Sequence, residues 1–510
     1  MEKKKYFAST PKNKQANNKK KFDGKKDFKK KDEKSFDKKN DKPFVKKSNF
    51  KKDEKYVDKK PFKKDGKSFD KKPFKKVEQV DVVNKETSNI RQYIYKCLYN
   101  IYINKAFSNI GIDHIIRENN INELDAKLLT NIVYGTLSHN KLLNWEISKL
   151  SEKAPKDQAK IILLMSLYQM RFLDRIPHFA ILNEAVSIAK KEGGEAMGKF
   201  VNAVLRESQR QNLEFTKESC KDEYEYLSIK YNTPIWVVKM WEAHYGKAKT
   251  LSLLEDSIKE PPVSFRVNIH KTNKDFILAS NPDFVSGKLA ANSLTYNGDT
   301  PLTQLSEFKE GLISVQDESS QYVVEVLDPQ ENDKVLDMCA APGSKTQYIC
   351  EMMNNKGKVL AIDLHAHRVE IMKKMLSSLG LNNVTCVCYD STKLSSKEKL
   401  VGSFDKVLLD APCLGLGVVR RKPDILLDLQ SNKLDEIVAL QKQLLEQAYL
   451  MLKDGGVLVY STCSINKKEN DAQVMEFLGK HKDMKRVFEK QIFPDEYDSD
   501  GFYICKMIKE

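Results

Sequence analysis

Asp337-Met338-Cys339-Ala340-Ala341-Pro342-Gly343-Ser344-Lys345-Thr346 is the stretch that decides the fold of this 510-residue chain. It follows the apolar run Lys334-Val335-Leu336 and leads into the helical pattern from Lys345 to Met353, so it reads as a strand end, a tight turn and a helix start. Small residues in the turn let backbone approach a ligand closely, and Gly343 can take positive φ at little cost. Ligands of open α/β sheets sit at the carboxyl ends of strands, where this turn falls. Working outward, three further strand-like runs end in acids: Lys358 to Asp363, Val384 to Asp390, and Phe404 to Asp410. Asp363 stands 26 residues after Asp337, where an acid commonly bonds ribose hydroxyls. Asp390 suits an adenine amino group. Strand and helix patterns alternate beyond about residue 313, which predicts a mostly parallel sheet covered on both faces. The turn has neither the G-x-G-x-x-G spacing of a dinucleotide site nor the G-x-x-x-x-G-K-[ST] spacing of a P-loop.

Two cysteines follow strand-like runs on the same predicted edge. One is in Asp410-Ala411-Pro412-Cys413-Leu414-Gly415-Leu416-Gly417. A helix with apolar Leu434, Ile437, Val438, Leu444, Leu445, Ala448 and Leu452 comes next, and Lys453-Asp454-Gly455-Gly456 is expected to stop it. Val457 to Ser461 is read as the fifth strand, and Thr462-Cys463 sits at its end. A cofactor turn, strand-end acids and a thiol at the same edge point to covalent chemistry beside a bound cofactor. The nine cysteines include no C-x-x-C pair. Free thiols in a reducing compartment fit better than a disulfide framework, and a cytoplasmic location is expected. Cys386 and Cys388 read as packed small hydrophobes, as does the sulfur of Cys339. No metal site is expected.

The formal net charge of +16 is not spread evenly. Residues 1–76 hold 31 Lys and no Arg against 12 acidic residues, and the rest of the chain balances to −3. With Lys-Pro-Phe repeated at Lys42, Lys60 and Lys72 and no Leu or Ile, residues 1–80 are expected to be a disordered tail. Such a tail is either an RNA-binding arm or a solubilising extension. The start shows no signal peptide, and no apolar run approaches the roughly 20 residues needed to span a bilayer, so no membrane is expected.

Residues 87–225 read as an all-α bundle. Ile161-Ile162-Leu163-Leu164-Met165 through Leu173 is apolar nearly all round, which predicts a central packed helix ending before Pro177. Helices from about Ala180 to Lys191 and Ala196 to Arg206 are expected on either side of Gly193-Gly194. Residues 226–312 change from a helix near Trp236–Leu254 to short strands such as Pro261 to Asn268, a small α+β segment.

These stretches carry a resemblance. Val133-Tyr134-Gly135-Thr136-Leu137, Leu167-Tyr168-Gln169, Asn183-Glu184-Ala185-Val186 and Lys199 to Arg206 look like the NusB-like RNA-binding domain, with Ser138 where that family usually has arginine. Tyr168, Leu167 and Val204 read as packing residues. Arg266, Asn268 and Lys271, with Gly311 to Gln321, resemble the small domain of RNA cytosine-C5 methyltransferases. Arg266 there holds either an RNA phosphate or a structural ion pair. The Pro412-Cys413 and Thr462-Cys463 pair is similar to the signature of the same enzymes.

Joined, residues about 87–510 resemble the bacterial 16S ribosomal RNA cytosine-C5 methyltransferases of the Sun/Fmu type. The resemblance implies a class I, Rossmann-like domain over residues 313–510 that uses S-adenosyl-L-methionine. It implies that Cys339, Ala340, Ala341, Pro342, Gly343, Ser344, Lys345, Asp363, Asp390 and Asp410 contact the cofactor. It implies Cys463 as nucleophile on cytosine C6, Cys413 as the residue assisting product release, and Asp410 at the cytosine N3 edge. DNA cytosine methyltransferases use the Pro-Cys cysteine instead, which would exchange the two roles. Arg420, Arg421 and Lys422 are expected to face RNA phosphates, or else to be a solvated charge run. The implied substrate is 16S rRNA, free or in an assembling small subunit. Transfer RNA or 23S rRNA remains as an alternative target, and a non-catalytic RNA-binding assembly or antitermination factor as an alternative class.

Overall fold

The computed structural model describes residues 90–510. The Lys/Phe-rich tail lies outside the described residues. Among these, no helix is long and apolar enough to cross a membrane.

The first part is a bundle of helices Ile90–Tyr102, Ser108–Glu118, Glu123–Ser138, Asn140–Leu150, Asp157–Phe172 and His178–Gln211. Asp157–Phe172 runs through its centre because every residue from Ile161 to Gln169 is buried, leaving no solvent face. His178–Gln211 breaks where two helices were expected, with Gly194 at φ 77°. Leu167, Tyr168 and Val204 all lie in the core, as packing residues should. Gly135 has a specific reason: a Cβ there would sit 1.9 Å from Cζ of Tyr168, so only glycine lets the two helices meet at this point. The bundle also docks onto a distant loop. Ser108 donates to Asp424 at 2.5 Å, Lys105 pairs with Asp428 at 2.6 Å, and Leu427 packs on the bundle core.

A helix, Ile235–Ser257, broken at Gly246, leads to a small antiparallel sheet. Its strands are β1 (Val263–Val267), β2 (Phe284–Ser286), β3 (Ser293–Tyr296) and β4 (Ile313–Val315), in the order β2-β3-β1-β4. Of the two readings of Arg266, the ion pair is the one observed. Its side chain is fully buried and Nη2 bonds both oxygens of Glu351 at 3.0 Å. Nη1 donates to Gln316 and to the Ser344 carbonyl, and the guanidinium lies 4.5 Å from the Tyr348 ring centroid. No RNA phosphate reaches a group so enclosed. Asn268 and Lys271 likewise bond the backbone of Gly311 and Glu310. Arg266→Ala is therefore expected to destabilise the fold by about 3–5 kcal/mol, because it strands a buried carboxylate. Urea denaturation should show it, and joint replacement of Arg266 and Glu351 by Met should recover most of the loss. A single variant as stable as the parent would contradict this.

The last part is a seven-stranded sheet ordered β10-β11-β9-β8-β5-β6-β7. The strands are β5 (Lys334–Asp337), β6 (Lys358–Asp363), β7 (Val384–Cys388), β8 (Phe404–Asp410), β9 (Leu452–Thr462), β10 (Met484–Ile492) and β11 (Phe502–Lys509). β7, β6, β5, β8 and β9 run parallel, β11 pairs antiparallel with β9, and β10, antiparallel to β11, runs in the direction of the first five. The chain moves outward from β5 to β7 and then returns to β8 on the other side of β5. The carboxyl ends of β5 and β8 thus form the topological switch point at which such sheets bind ligands.

Four local expectations need correction. β7 ends at Cys388, so Asp390 stands past the strand and caps a turn instead. β7 is also an edge strand, which leaves Cys388 exposed rather than packed. The helix Asn432–Met451 ends before Lys453, and Lys453-Asp454-Gly455-Gly456 bulges within β9, where the register against β8 shifts. Arg420 and Arg421 do not face RNA. Arg420 is buried and pairs with Asp498 at 2.8 Å and Asp256 at 3.4 Å. Arg421 pairs with Asp317 and Asp500, both at 2.9 Å. These arginines tie the loop after β8 to acids on three other segments; only Lys422 of the three is exposed.

Candidate functional site

The turn after β5 is held from both sides of the sheet. Met338 N–H donates to the Leu408 carbonyl of β8 at 3.0 Å, and Ala340 N–H to the Ile362 carbonyl of β6 at 2.8 Å. Ser391 Oγ donates to the Met338 carbonyl at 2.6 Å. Gly343 has φ 107°, the left-handed conformation its identity allows, and the Ala341–Pro342 peptide is cis. Ser344 keeps ordinary φ and begins the helix Ser344–Met352. Cys339, Ala340, Ala341, Pro342, Gly343, Ser344 and Lys345 are thus one continuous ledge at the switch point.

Asp363, Asp390 and Asp410 are each restrained. Asp363 is buried; its carboxylate accepts from Ala341 N–H at 3.3 Å and His365 N–H at 3.0 Å, and pairs with Arg368 at 3.2 Å. Asp390 accepts from the Thr392 hydroxyl at 2.6 Å and pairs with Lys393 at 2.8 Å. Asp410 divides its two oxygens: Oδ1 accepts from the Ser461 hydroxyl and Oδ2 from Lys345 Nζ, each at 2.8 Å. Burial pulls the Lys345 ammonium down, and the groups around it, Asp410 first and then Cys463 and Asp337, together more than offset that, so Lys345 holds its proton more firmly than an ordinary lysine.

Asp337 lies beneath the ledge, buried, and accepts from the Thr346 hydroxyl at 2.7 Å. Burial pushes its carboxyl up to about 7. Its folded value therefore lies above the unfolded carboxylate range, and the folded chain binds the proton more tightly. The linked stability is complete below about pH 4 and is lost as pH rises through about 7. Asp337→Asn, which keeps an acceptor for Thr346, should match the parent near pH 4 and exceed it near pH 8 by about 4 kcal/mol. Melting curves across that range check this; parallel profiles for the two proteins would sink it.

Sulfur meets sulfur at the ends of β8 and β9. Cys413 Sγ lies 2.8 Å from Cys463 Sγ. The approach is enforced by backbone. Gly417 N–H donates to the Cys463 carbonyl at 3.0 Å, and a Cβ on Gly417 would sit 1.9 Å from the Gly501 carbonyl oxygen. The Cys413 thiol is pushed well up, first by its hydrogen bond with Cys463 and then by burial, which favours its protonated form. Cys413, Cys463 and Asp410, the last bonded to Lys345 of the ledge, therefore share one corner of the switch point.

Known proteins match this chain over both halves. A family model described as 16S rRNA methyltransferase RsmB/F matches residues 324–508, and one described as the NusB family matches residues 88–210. A probable ribosomal RNA small subunit methyltransferase B from Bacillus subtilis is 34% identical over 449 residues, covering 84% of this chain and 100% of that protein. The chain belongs to the ribosomal RNA small subunit methyltransferase B family. A second relative, ribosomal RNA small subunit methyltransferase B of Serratia proteamaculans, is 33% identical over 76% of this chain and 92% of its own length. The crystal structure of PH0851 superposes with a TM-score of 0.72 at 26% identity, over 82% of this chain and 98% of that one. A methyltransferase homologue from Pyrococcus horikoshii has a TM-score of 0.51 at 28% identity, over 57% of this chain and 100% of that one. As a member of the family the chain is an S-adenosylmethionine-dependent methyltransferase with a NusB domain.

The donor set at the switch point fits that cofactor. Carboxylates at the ends of β6 and β8 and beyond β7 accept hydrogen bonds from hydroxyl and amino groups, and the ledge offers close backbone on one side. Three site features escaped the sequence reading. Lys345 and Ser461 are the partners of Asp410, and Glu469 and Asn470 are buried under the cysteines. Ile465-Asn466-Lys467-Lys468-Glu469-Asn470 reads as an ordinary polar loop. Only the hydrophobic strand before it signalled that part of it turns inward.

Proposed function

We propose that this family member methylates C5 of a cytosine in 16S rRNA, through a covalent bond between Cys463 Sγ and C6 of the base. The observation that carries the reading is the 2.8 Å approach of Cys413 and Cys463 beside the Asp410–Lys345 pair, at the mouth of the cofactor ledge. Cytosine C5 is too electron-poor to take an electrophilic methyl unaided. Attack of the Cys463 thiolate on C6 moves the ring electrons toward C5 and N3 and makes C5 nucleophilic. Asp410, bonded to Lys345 through Oδ2, is the group assigned to the cytosine N3 edge, where a proton passed from the Lys345–Asp410 pair to N3 would neutralise the negative charge developing on the ring. S-adenosylmethionine, when bound, supplies the methyl group. A base then takes the C5 proton, the C–H pair restores the C5–C6 double bond, and the C6–S pair returns to Cys463. The S–H of Cys413 donates to that departing sulfur, which is how it assists release.

The cofactor residues proposed are Cys339 to Lys345 of the ledge with Asp363, Asp390 and Asp410. Residues 87–225 and 226–312 are the proposed RNA-holding modules, with 313–510 carrying the chemistry. A target cytosine has to leave its stack to reach sulfurs set this deep, which costs a few kcal/mol and favours an unpaired position. The test is to incubate the full chain and methyl-labelled cofactor with 16S rRNA, assembled small subunits, 23S rRNA and transfer RNA separately. Nucleoside mass spectrometry should find 5-methylcytidine in 16S rRNA. Label confined to another RNA, or on another base, would overturn the proposal.

A further inference from the structure

Glu469 has no place in the chemistry above, yet it is among the most fully enclosed carboxylates of the chain, with no exposed surface. Its two oxygens are completely used. Oε1 accepts from Ser464 Oγ at 2.6 Å and from Asn466 Nδ2 at 3.4 Å. Oε2 accepts from Leu414 N–H at 2.9 Å and from Gln441 Nε2 at 3.2 Å. Ser464 follows Cys463 directly and Leu414 follows Cys413, so one carboxylate grips the residue next to each sulfur. Gln441 Nε2 also donates to the Pro412 carbonyl at 2.9 Å, which fastens the other side of Cys413 to the same cluster. The Tyr460 hydroxyl donates to the Glu469 carbonyl at 2.6 Å and fixes its backbone to β9.

Burial raises the Glu469 carboxyl, and the hydrogen bonds from Ser464, Leu414 N–H, Gln441 and Asn466 offset that in part by favouring the charged form; four donors converging on two oxygens match the all-acceptor capacity of the anion. Every donor it meets is neutral. The charge is therefore solvated by dipoles without being cancelled, a few residues from two thiols. A negative charge beside a thiol disfavours thiolate there, and among the influences that hold the Cys413 proton Glu469 follows the Cys463 bond, burial and the Cys463 charge.

We propose that Glu469 is the positioning residue of the thiol pair: it clamps the Cys413 loop to the Cys463 loop, and its anionic charge reserves Cys413 as the S–H donor to Cys463. The proposal rests on the cytosine reading for the use of the two thiols, but its geometry does not. Without the charge, Cys413 would ionise more readily, two like charges would face each other at 2.8 Å, and the donor that eases departure of sulfur from the base would be lost.

The experiment compares the full chain with Glu469→Gln and Glu469→Asp. Iodoacetamide labelling of Cys413, read by peptide mass spectrometry without RNA, is followed against pH. Glu469→Gln is expected to lower the pH of half-maximal Cys413 labelling by about one unit. It should also cut turnover by about 100-fold and accumulate RNA–protein adduct, while the cofactor dissociation constant stays within about threefold. Glu469→Asp keeps the charge and should leave the labelling midpoint at the parent's value while recovering part of the turnover. An unchanged midpoint in Glu469→Gln overturns the proposal, as does loss of cofactor affinity in step with turnover, which marks a merely structural residue. Should Glu469→Gln not fold, Ser464→Ala and Gln441→Ala each withdraw one donor and leave the carboxylate. Either should then slow turnover by about tenfold with cofactor affinity retained; parent-like turnover in both overturns the clamp. A parent enzyme that makes no 5-methylcytidine in any RNA sinks the cytosine reading alone, because the labelling profile needs no RNA.

Discussion

Cys463→Ala is expected to reduce methyl transfer by at least on the order of 10⁴-fold, to the limit of detection. The reason is chemical rather than structural. Without the Cys463 sulfur adding at C6, the C5 carbon does not become nucleophilic. The substitution removes one sulfur from a half-buried site and leaves the ledge, Asp410 and Lys345 untouched. Cofactor affinity, measured by calorimetry, and melting temperature should therefore stay close to the parent's. No covalent RNA complex should appear on denaturing gels, even with 5-fluorocytosine in the RNA. Turnover within tenfold of the parent would falsify the assignment.

Cys413→Ala should give the opposite signature. Attack by Cys463 proceeds, but the departing sulfur loses the S–H that now stands 2.8 Å away. Turnover should fall by about 10²- to 10³-fold, the usual worth of a positioned proton donor. A denaturant-resistant RNA–protein adduct should build up with unmodified RNA, and the double variant with Cys463→Ala should lack it. If the phenotypes are exchanged, with the adduct forming in Cys463→Ala, then Cys413 attacks and the roles are those of the DNA enzymes. The half-buried state of both sulfurs and their direct contact permit either to reach a base, so this pair of variants is the decisive comparison.

Much of the framework was legible because it depends on local pattern. β5, β6 and β8 have the very bounds that apolar runs ending in Asp337, Asp363 and Asp410 suggest. The break at Gly194 and the positive φ of Gly343 follow from glycine in sequences that are otherwise helical or tightly turning. The failures share a cause as well. Arg420 and Arg421 form a basic run that sequence places on the surface, but acids at Asp256, Asp317, Asp498 and Asp500 come from segments far away in the chain. Cys388 belongs to a strand pattern, and only the strand order makes that strand an edge. Lys453 to Gly456 look like a helix stop, yet the pairing of Leu452 with Phe404 carries the strand back before them.

By itself the sequence determined the α/β alternation, the cofactor turn, the acids at strand ends and the presence of a cysteine after each of two strands. Those depend on residue type and short-range periodicity, which side-chain size, backbone preference and hydrophobic alternation impose locally. The tertiary structure alone decided which groups meet: Cys413 with Cys463, Asp410 with Lys345 and Ser461, and Glu469 with the neighbours of both cysteines. Such contacts join strands that are adjacent in the sheet but separated by some 50 residues in the chain. They exist because the sheet closes around its switch point and buries polar groups that must then find one another, and no local pattern records that search.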